Sequence, residues 1–436
     1  MATKHNKRAG RVRISTLRGA WVMLPGMNLP VSLFLLYNGL LHIGLLGVSD
    51  AILNFYFVSL GHNQETIGLL QALPRLGGFA ISVPVGLLAN RIGTRRIVIF
   101  STLGLTASYL MIIVWPSLFM LGFSRLLMGL FWGGIQIATT PLLIRLSTAQ
   151  FETYVFSYLN VVTMGTTAVG SFVGGYLPLL IVTLFPGAVD AVGVPPEQTA
   201  FAYRAALLLG TVTVVAAFWP LHRLQDDGPT AVAHRSPGTA AQRTPWLQIT
   251  GLASPMLIFG FTGGLTFPFY NLFFRTTFDV PDKTVGTILS IGWLGMAVIP
   301  LVGPGWERSL GRTWALGVAL VIAAGAFYGL SVAPTLAFSV VCFVGAISFR
   351  NMMQPLFQPL LMDTLAPSLH NITSGVSTVL WNVGWFTATA MSGFLQTTYG
   401  FGVIMQIVAG GVLLNAVIVV LIFRRRRPHW QAQQVL

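Results

Sequence analysis

The residue pattern predicts an all-α polytopic membrane protein of about twelve spanning helices, arranged as two six-helix halves. Three features lead there. Of the 436 residues 54% are hydrophobic and only 8% charged, against about 25% charged in a soluble domain, so the chain cannot cover a water-facing surface. Its apolar residues fall in runs of roughly 20, the length that takes a helix across a ~30 Å hydrocarbon core. The second half of the chain also repeats the first at one constant offset of 218 residues. No water satisfies open backbone groups in lipid, so a spanning segment is a helix or part of a closed barrel. Barrel strands alternate polar and apolar residues over ~10 positions, which these runs do not.

The first expected span, 32–59, follows a basic tail holding Lys4, Lys7, Arg8, Arg11, Arg13 and Arg18. This start mimics a secretory signal, but the apolar run is too long, leads into Asp50 and Asn54, and carries no small-residue cleavage site, so it reads as a retained helix. The next spans are 65–88, 97–115, 117–144, 152–182 and 202–221, and the second half supplies 249–275, 284–303, 314–332, 335–361, 373–396 and 401–423. Most connections are short. Two are long: the Pro/Gly-rich stretch 183–201, and the polar stretch 222–248 with Asp226, Asp227, Gly228, Pro229, Pro237 and Pro245. The expected division is a basic tail over 1–31, a bundle over 32–221, a linker over 222–248, a second bundle over 249–423 and a tail over 424–436.

The net charge of +14 comes from short basic clusters between apolar runs, which argues for membrane topology and against a nucleic-acid surface. With the N-terminus in the cytoplasm, the inner segments hold the basic tail, Arg91, Arg95, Arg96, Arg145, Arg223, Arg235, Arg243, Arg308, Arg312 and the run from Arg424 to Arg427. The outer loops hold almost none, with Arg204, Arg275 and Lys283 at their margins. Basic residues mark cytoplasmic loops, so both termini are expected inside, at the inner (plasma) membrane. The single cysteine, Cys342, forms no intramolecular disulfide.

The repeat places Phe55 on Phe273, Thr66 on Thr284, Gly68 on Gly286, Gly93 on Gly311, Gln136 on Gln354 and Gly175 on Gly393. Pro141-Leu142-Leu143 falls on Pro359-Leu360-Leu361. Parallel six-helix repeats about an axis along the membrane normal are a known transporter plan, with the site between the halves near midplane.

The loop after the second span reads Gly86-Leu87-Leu88-Ala89-Asn90-Arg91-Ile92-Gly93-Thr94-Arg95-Arg96. Its counterpart after the eighth reads Gly303-Pro304-Gly305-Trp306-Glu307-Arg308, with Gly311 and Arg312 following. Both resemble the signature cytoplasmic loop of the major facilitator superfamily, Gly-x-Leu-x-Asp-Arg-x-Gly-Arg-Arg/Lys, with Asn90 standing where the family has Asp. Arg125-x3-Gly129-x3-Gly133-Gly134 in the fourth span is similar to an element of the superfamily's proton-coupled members. The glycines Gly165, Gly170, Gly174 and Gly175 of the fifth are only loosely similar to its antiporter motif. The resemblance implies the major facilitator fold, with spans 1, 4, 7 and 10 lining a central cavity. It further implies a secondary transporter that moves a small solute by alternating access, without a cofactor, as a monomer coupled to protons or another ion. Efflux of a drug or metabolite is the function it favours; uptake or exchange of an anionic metabolite is the alternative, and a non-transporting receptor or scaffold a second. In the two loops Gly86, Asn90, Arg91, Gly93, Arg95, Gly303, Glu307, Arg308, Gly311 and Arg312 are the gating candidates.

Ionisable side chains at bilayer depth are functional candidates by default. They are Asp50, Arg75, Arg125, Arg350 and His42. Asp50 is the one carboxylate at that depth, drawn to its neutral form by burial and to its charged form by a nearby guanidinium. It is the candidate proton-coupling site, with Arg125 or Arg75 as partner; a static Asp–Arg pair that only fixes helices is the competing reading. Three arginines against one acid favour an anionic solute, unless Arg350 pairs with backbone carbonyls. Polar and aromatic neighbours complete the candidate solute site: Asn38, Asn54, Trp132, Gln136, Tyr270, Asn271, Gln354, Gln358, Trp381, Asn382 and Trp385. Lining by Phe and Trp would favour amphipathic compounds, and converging arginines an anion. There is no phosphate-binding Gly-Lys-Ser/Thr loop, no metal-ligand cluster, and no paired acids or Ser/His pair at depth, so neither an ATP-driven pump nor an intramembrane enzyme is expected.

Overall fold

In the computed structural model the described residues are 25–186, 195, 198–224, 245–366 and 369–424, with the side chains of 82–91, 149 and 371 left aside. Most of the basic tail, the core of the central linker (225–244) and the C-terminal tail beyond 424 lie outside them, as do the side chains of Gly86, Asn90 and Arg91. The spans are α1 (Leu29–Ser59), α2 (Gln64–Ile92), α3 (Thr94–Val114), α4 (Leu118–Leu146), α5 (Glu152–Leu184) and α6 (Ala200–Arg223). The second half supplies α7 (Pro255–Phe278), α8 (Asp282–Leu310), α9 (Arg312–Ser331) and α10 (Leu336–Asp363). The helix His370–Phe423 is two spans, α11 (370–399) and α12 (401–423), parted at Gly400, whose φ of 75° a side chain would strain. Ten stretches of the described residues are long and apolar enough to cross a membrane, the last of them this double span. Large apolar side chains such as Phe119, Leu180, Leu301 and Val341 lie exposed on the outer surface, where lipid covers them at no hydrophobic cost.

The internal repeat is written into the backbone. Gly93 and Gly311, equivalent in the two halves, adopt φ 88°, ψ 146° and φ 78°, ψ 153° at the turns before α3 and α9. Gly61 and Asp279, also equivalent, both turn left-handed, at φ 84° and 49°.

The two halves meet at the end of the bundle remote from the termini. There α2 crosses α11 with Gly68 against Gly393, and α5 crosses α8 with Gly175 against Gly286. The offset of 218 maps one pair onto the other, so both crossings are the same contact seen twice. One apolar core runs through both halves at this far end, including Phe55, Tyr56, Phe57, Tyr203, Phe273 and Phe274. A second core, with Val31, Phe34, Tyr37, Val155 and Leu221, belongs to the first half alone, near the terminal end. The bundle is therefore closed at the far end and parted at the end that carries the termini.

Several spans are interrupted for identifiable reasons. The seventh expected span, 249–275, is instead a short helix, Trp246–Ala253, followed by α7, because Pro255 cannot donate into a continuing helix. Within α7 a single 3₁₀ turn, Phe267–Phe269, surrounds Pro268. The carbonyl that Pro268 leaves unbonded, that of Gly264, accepts from Thr389 Oγ1 of α11 at 2.9 Å, and the next, Leu265, accepts from Ser392 at 2.7 Å. In α1, residues Ile43–Ser49 widen into a π-helical turn in which Ser49 Oγ donates to the Gly44 carbonyl at 2.9 Å.

Candidate functional site

Asp50 follows directly on that π turn. The turn is held from behind by close glycine contacts: Gly47 lies against Gly170 of α5, and Gly44 against Gly210 of α6. The next residues of α1, Ala51 to Phe57, are buried, whereas Asp50 itself is exposed where the halves part. Its carboxylate has no ion pair within 4.0 Å and no hydrogen bond among the described residues. Arg125 and Arg75 are the cations within electrostatic reach of it. The static Asp–Arg contact of the competing reading is thus not made in this conformation.

Arg125 of α4 is buried and its donors are taken. Nε donates to the Leu70 carbonyl at 3.1 Å, Nη1 to Met128 Sδ at 3.1 Å, and Nη2 to Gln71 Oε1. A guanidinium can only donate, so it sets the direction of everything beyond it. Gln71 must present its amide nitrogen to Asn54 Oδ1, at 2.5 Å. Asn54 then donates to the Pro268 carbonyl at 2.6 Å and to Asn271 Oδ1 at 2.8 Å. Asn271 donates in turn to the carbonyls of Asp50 and Ala51, each at 3.1 Å. This chain of amides crosses from α4 and α2 through α1 into α7 and back to the backbone of Asp50 itself.

Arg75 of α2 is half-buried and differently placed. Its guanidinium carbon lies 4.2 Å from the Trp385 ring centroid and 4.8 Å from that of Trp381, both on α11 of the opposite half. The two rings meet edge to face at 5.7 Å, and Phe267 extends the shelf from Trp385 to Trp293 at 5.7 and 5.6 Å. The indole Nε1 of Trp381 is buried with no acceptor among the described residues.

Arg350 of α10 is buried against α7. Its Nη2 donates to the Phe259 carbonyl, and its guanidinium carbon sits 4.0 Å from the Phe259 ring centroid. Tyr270 donates to Thr266 at 3.1 Å and packs on Phe343. Asn38 is turned toward α5, donating to Thr163 at 2.7 Å. His42 Nδ1 lies 2.7 Å from the Asn38 carbonyl, and its ring meets Trp132 edge to face at 5.5 Å. Asn382 spends its amide on the Thr378 carbonyl at 2.9 Å. Gln136 and Gln354 are exposed and Gln358 half-buried. The structure brings Asp50, Asn54, Arg75, Arg125, Asn271, Trp381 and Trp385 into one region between the halves, and seats Arg350 of α10 behind it, where its Nη2 and the Trp385 ring both lie against Gly263 of α7.

The loops hold helix ends through different chemistry in the two halves. Arg312 pairs with Glu307 at 2.6 Å and with Asp363 of α10 at 2.6 Å. Arg95 instead donates to the carbonyls of Leu221 (3.4 Å) and His222 (2.9 Å) at the end of α6. Arg308 is exposed and, among the described residues, bonded only to the Pro304 carbonyl at 3.2 Å.

Two groups of interacting polar side chains were not among the residues singled out from the sequence. Gln71 lies one turn before Arg75 on α2 and could have been found as a polar stripe. At the far end Tyr203 of α6 donates to Asp282 of α8 at 2.5 Å and accepts from Arg275 of α7 at 3.0 Å, while Arg275 lies 3.4 Å from Asp282. Of these, Arg275 reads as a loop margin in the sequence. Asp282 is in fact buried. Among the described residues no three His, Cys, Asp or Glu side chains gather as metal ligands.

Comparison with known proteins was informative at the level of family and fold. The family model described as Major Facilitator Superfamily matches residues 35–389. Among solved structures, the nucleoside transporter NupG superposes with a TM-score of 0.69 at 13% identity, covering 91% of this chain and 100% of that one. A bacterial homolog of the human lysosomal transporter Spinster, inward-facing and occupied, gives 0.69 at 12% identity over 90% of this chain and 96% of its own. A bacterial homologue of the iron transporter ferroportin, inward-facing, gives 0.67 at 14% identity over 91% and 99%. At such identities the likeness concerns the fold. No curated protein matches the sequence.

Proposed function

This chain belongs to the Major Facilitator Superfamily, and from that premise we propose that it is a secondary active transporter that moves a small amphipathic solute by alternating access and couples the movement to protons at Asp50. The observation that carries the reading is the exposed Asp50 at the parting between halves that are closed at one end only. A carboxylate there meets whatever enters from the terminal end, and its charge bears on Arg75 and Arg125. The amide chain from Arg125 ends on α7 and the Asp50 backbone, so a change in charge at Asp50 is felt across the contact between halves. The aromatic shelf around Trp381 and Trp385 offers apolar area to a solute. With the basic loops inside, both termini are cytoplasmic in the inner membrane, and the described conformation faces inward. The chain acts as a monomer without a cofactor.

Reconstitution into proteoliposomes tests this. An imposed pH gradient drives solute movement by the wild type, and Asp50→Asn abolishes the pH dependence. Undiminished pH-driven movement by Asp50→Asn would overturn the coupling role.

A further inference from the structure

Three arginines enter the membrane region of the site, and their hydrogen-bonding capacity separates them. Arg125 uses Nε, Nη1 and Nη2 on protein acceptors. Arg350 is buried and donates through Nη2 to the Phe259 carbonyl, with its guanidinium over the Phe259 ring; Nε and Nη1 have no acceptor among the described residues. Arg75 has no hydrogen-bond acceptor at all among the described residues, yet its position is fixed by two tryptophan rings. Contact with ring faces spends no hydrogen bond to a protein acceptor, so the five N–H donors of this planar fork are left to bind a carboxylate bidentately. The buried Nε1 of Trp381 is a further donor without an acceptor, on one of those same rings. A guanidinium held between two indole rings, with its donors unspent on protein acceptors and an aromatic shelf beside it, is matched by an oxyanion attached to an apolar ring.

We propose that the edge of Arg75, propped on Trp381 and Trp385, binds the carboxylate of an aromatic or amphipathic acid, and that this anion is taken up together with one proton on Asp50. The proposal rests on the transporter reading and names its solute class. Its sign follows from charge. With Asp50 ionised, the site holds one acid among its arginines; with Asp50 neutral, Arg75 has lost its nearest counter-charge. Anion binding at Arg75 and proton binding at Asp50 therefore favour each other, by equal factors in both directions. A cationic solute would instead compete with the proton for Asp50 and bind more weakly as pH falls. The groups facing Asp50 are compatible with one titrating site. They are Arg75 of α2, Arg125 of α4 and Tyr109 of α3, which bonds the Leu45 carbonyl at 3.4 Å. From α7 comes the uncharged Asn271, and α5 meets the neighbouring residues of α1 only through the glycines 170 and 174, which carry no charge. Arg204 of α6 is bonded to Tyr56 at 3.2 Å, and Tyr203, Arg275 and Asp282 form their own cluster at the far end.

Equilibrium binding of naphthoate, naphthylmethylamine and naphthalenemethanol to the purified full chain tests this, since the three share one ring and differ in charge. The proposal expects naphthoate to bind best, with affinity rising as pH falls, by up to about tenfold per unit. Asp50→Asn holds naphthoate at the low-pH affinity throughout. Arg75→Gln weakens naphthoate by about tenfold or more, Arg75→Lys recovers part of that, and Trp381→Phe, which keeps the ring and loses the donor, weakens it a few-fold. Preference for the amine, no carboxylate binding, or naphthoate binding indifferent to Arg75→Gln in a normally melting protein overturns the proposal. Proton-driven movement of the amine that is lost in Asp50→Asn would remove this solute class and leave the transporter reading standing. If no pH gradient drives movement of any of the three and Asp50→Asn changes nothing, the transporter reading falls as well.

Discussion

Gly393→Ala isolates the contact on which closure of the far end depends. A Cβ at this position would lie 2.1 Å from the Gln64 carbonyl oxygen and 2.8 Å from Glu65 Cα. Both obstacles are backbone, so no side chain can swing aside; α2 and α11 must separate by about 1 Å. Overpacking of this kind costs ~1–3 kcal/mol. The cost falls on the far-end-closed conformation alone, so the balance between conformations shifts about 5- to 150-fold toward the opposite state. The readout belongs at the other crossing. Ser171 is buried where α5 meets Gly286 of α8, and Ser171→Cys in a Cys342→Ala background adds one thiol there. If the halves move as rigid bodies, Gly393→Ala speeds maleimide labelling at position 171 although the two sites lie on different helix pairs. Gly175→Ala, the pseudo-symmetric change, has a Cβ 2.7 Å from the Asp282 carbonyl oxygen and destabilises the same state. Unchanged labelling at 171 with an unchanged melting curve would show that the glycine crossings do not govern closure.

Other expectations concern the polar network. Gln71→Leu strands an Arg125 donor and the Asn54 carbonyl, each worth about 1–3 kcal/mol when buried and unpaired; the protein melts earlier and transport slows, while a hydrogen-bonding Gln71→Glu keeps the Arg125 contact and recovers part of the melting loss. Tyr203→Phe removes one donor from buried Asp282 and loosens the far end by roughly 1.5–3 kcal/mol, seen as faster labelling at Ser171→Cys. Asp363→Asn weakens the half-exposed pair with Arg312 by at most ~1 kcal/mol, so activity falls slightly and more at low salt than at high.

Much of the fold was legible because lipid imposes a strict rule on backbone polar groups, and that rule appears as runs of apolar residues. The repeat was equally plain: Gly68, Gly175, Gly286 and Gly393, found as matches at one offset, turn out to be the contact surface between the halves. Breaks inside spans were harder. Pro268 announces an interruption, but that Thr389 would satisfy the freed Gly264 carbonyl depends on a helix over a hundred residues away. The site was legible as a set of charges at depth, since each is conspicuous in an apolar run. Their roles were not, because the same residue type ends in three situations: Arg125 spent on amides, Arg350 on a carbonyl, Arg75 on two rings. Gln71 and Asp282 were overlooked for opposite reasons. The first is an ordinary amide in a long helix, and the second is a charge at a loop margin that folding buries under Tyr203.

Distances between spin labels at both ends of the bundle report the rocking motion itself. Gly61 and Asp279 are equivalent turns at the far end, and Thr148 and Ala366 equivalent positions at the terminal end, all among the described residues. Pulsed dipolar measurement on the two pairs, as pH is varied and in Gly393→Ala, should find the 61–279 distance lengthening whenever the 148–366 distance shortens. Two distances that rise and fall together, or that stay fixed under both perturbations, would mean that these halves do not alternate access about Asp50.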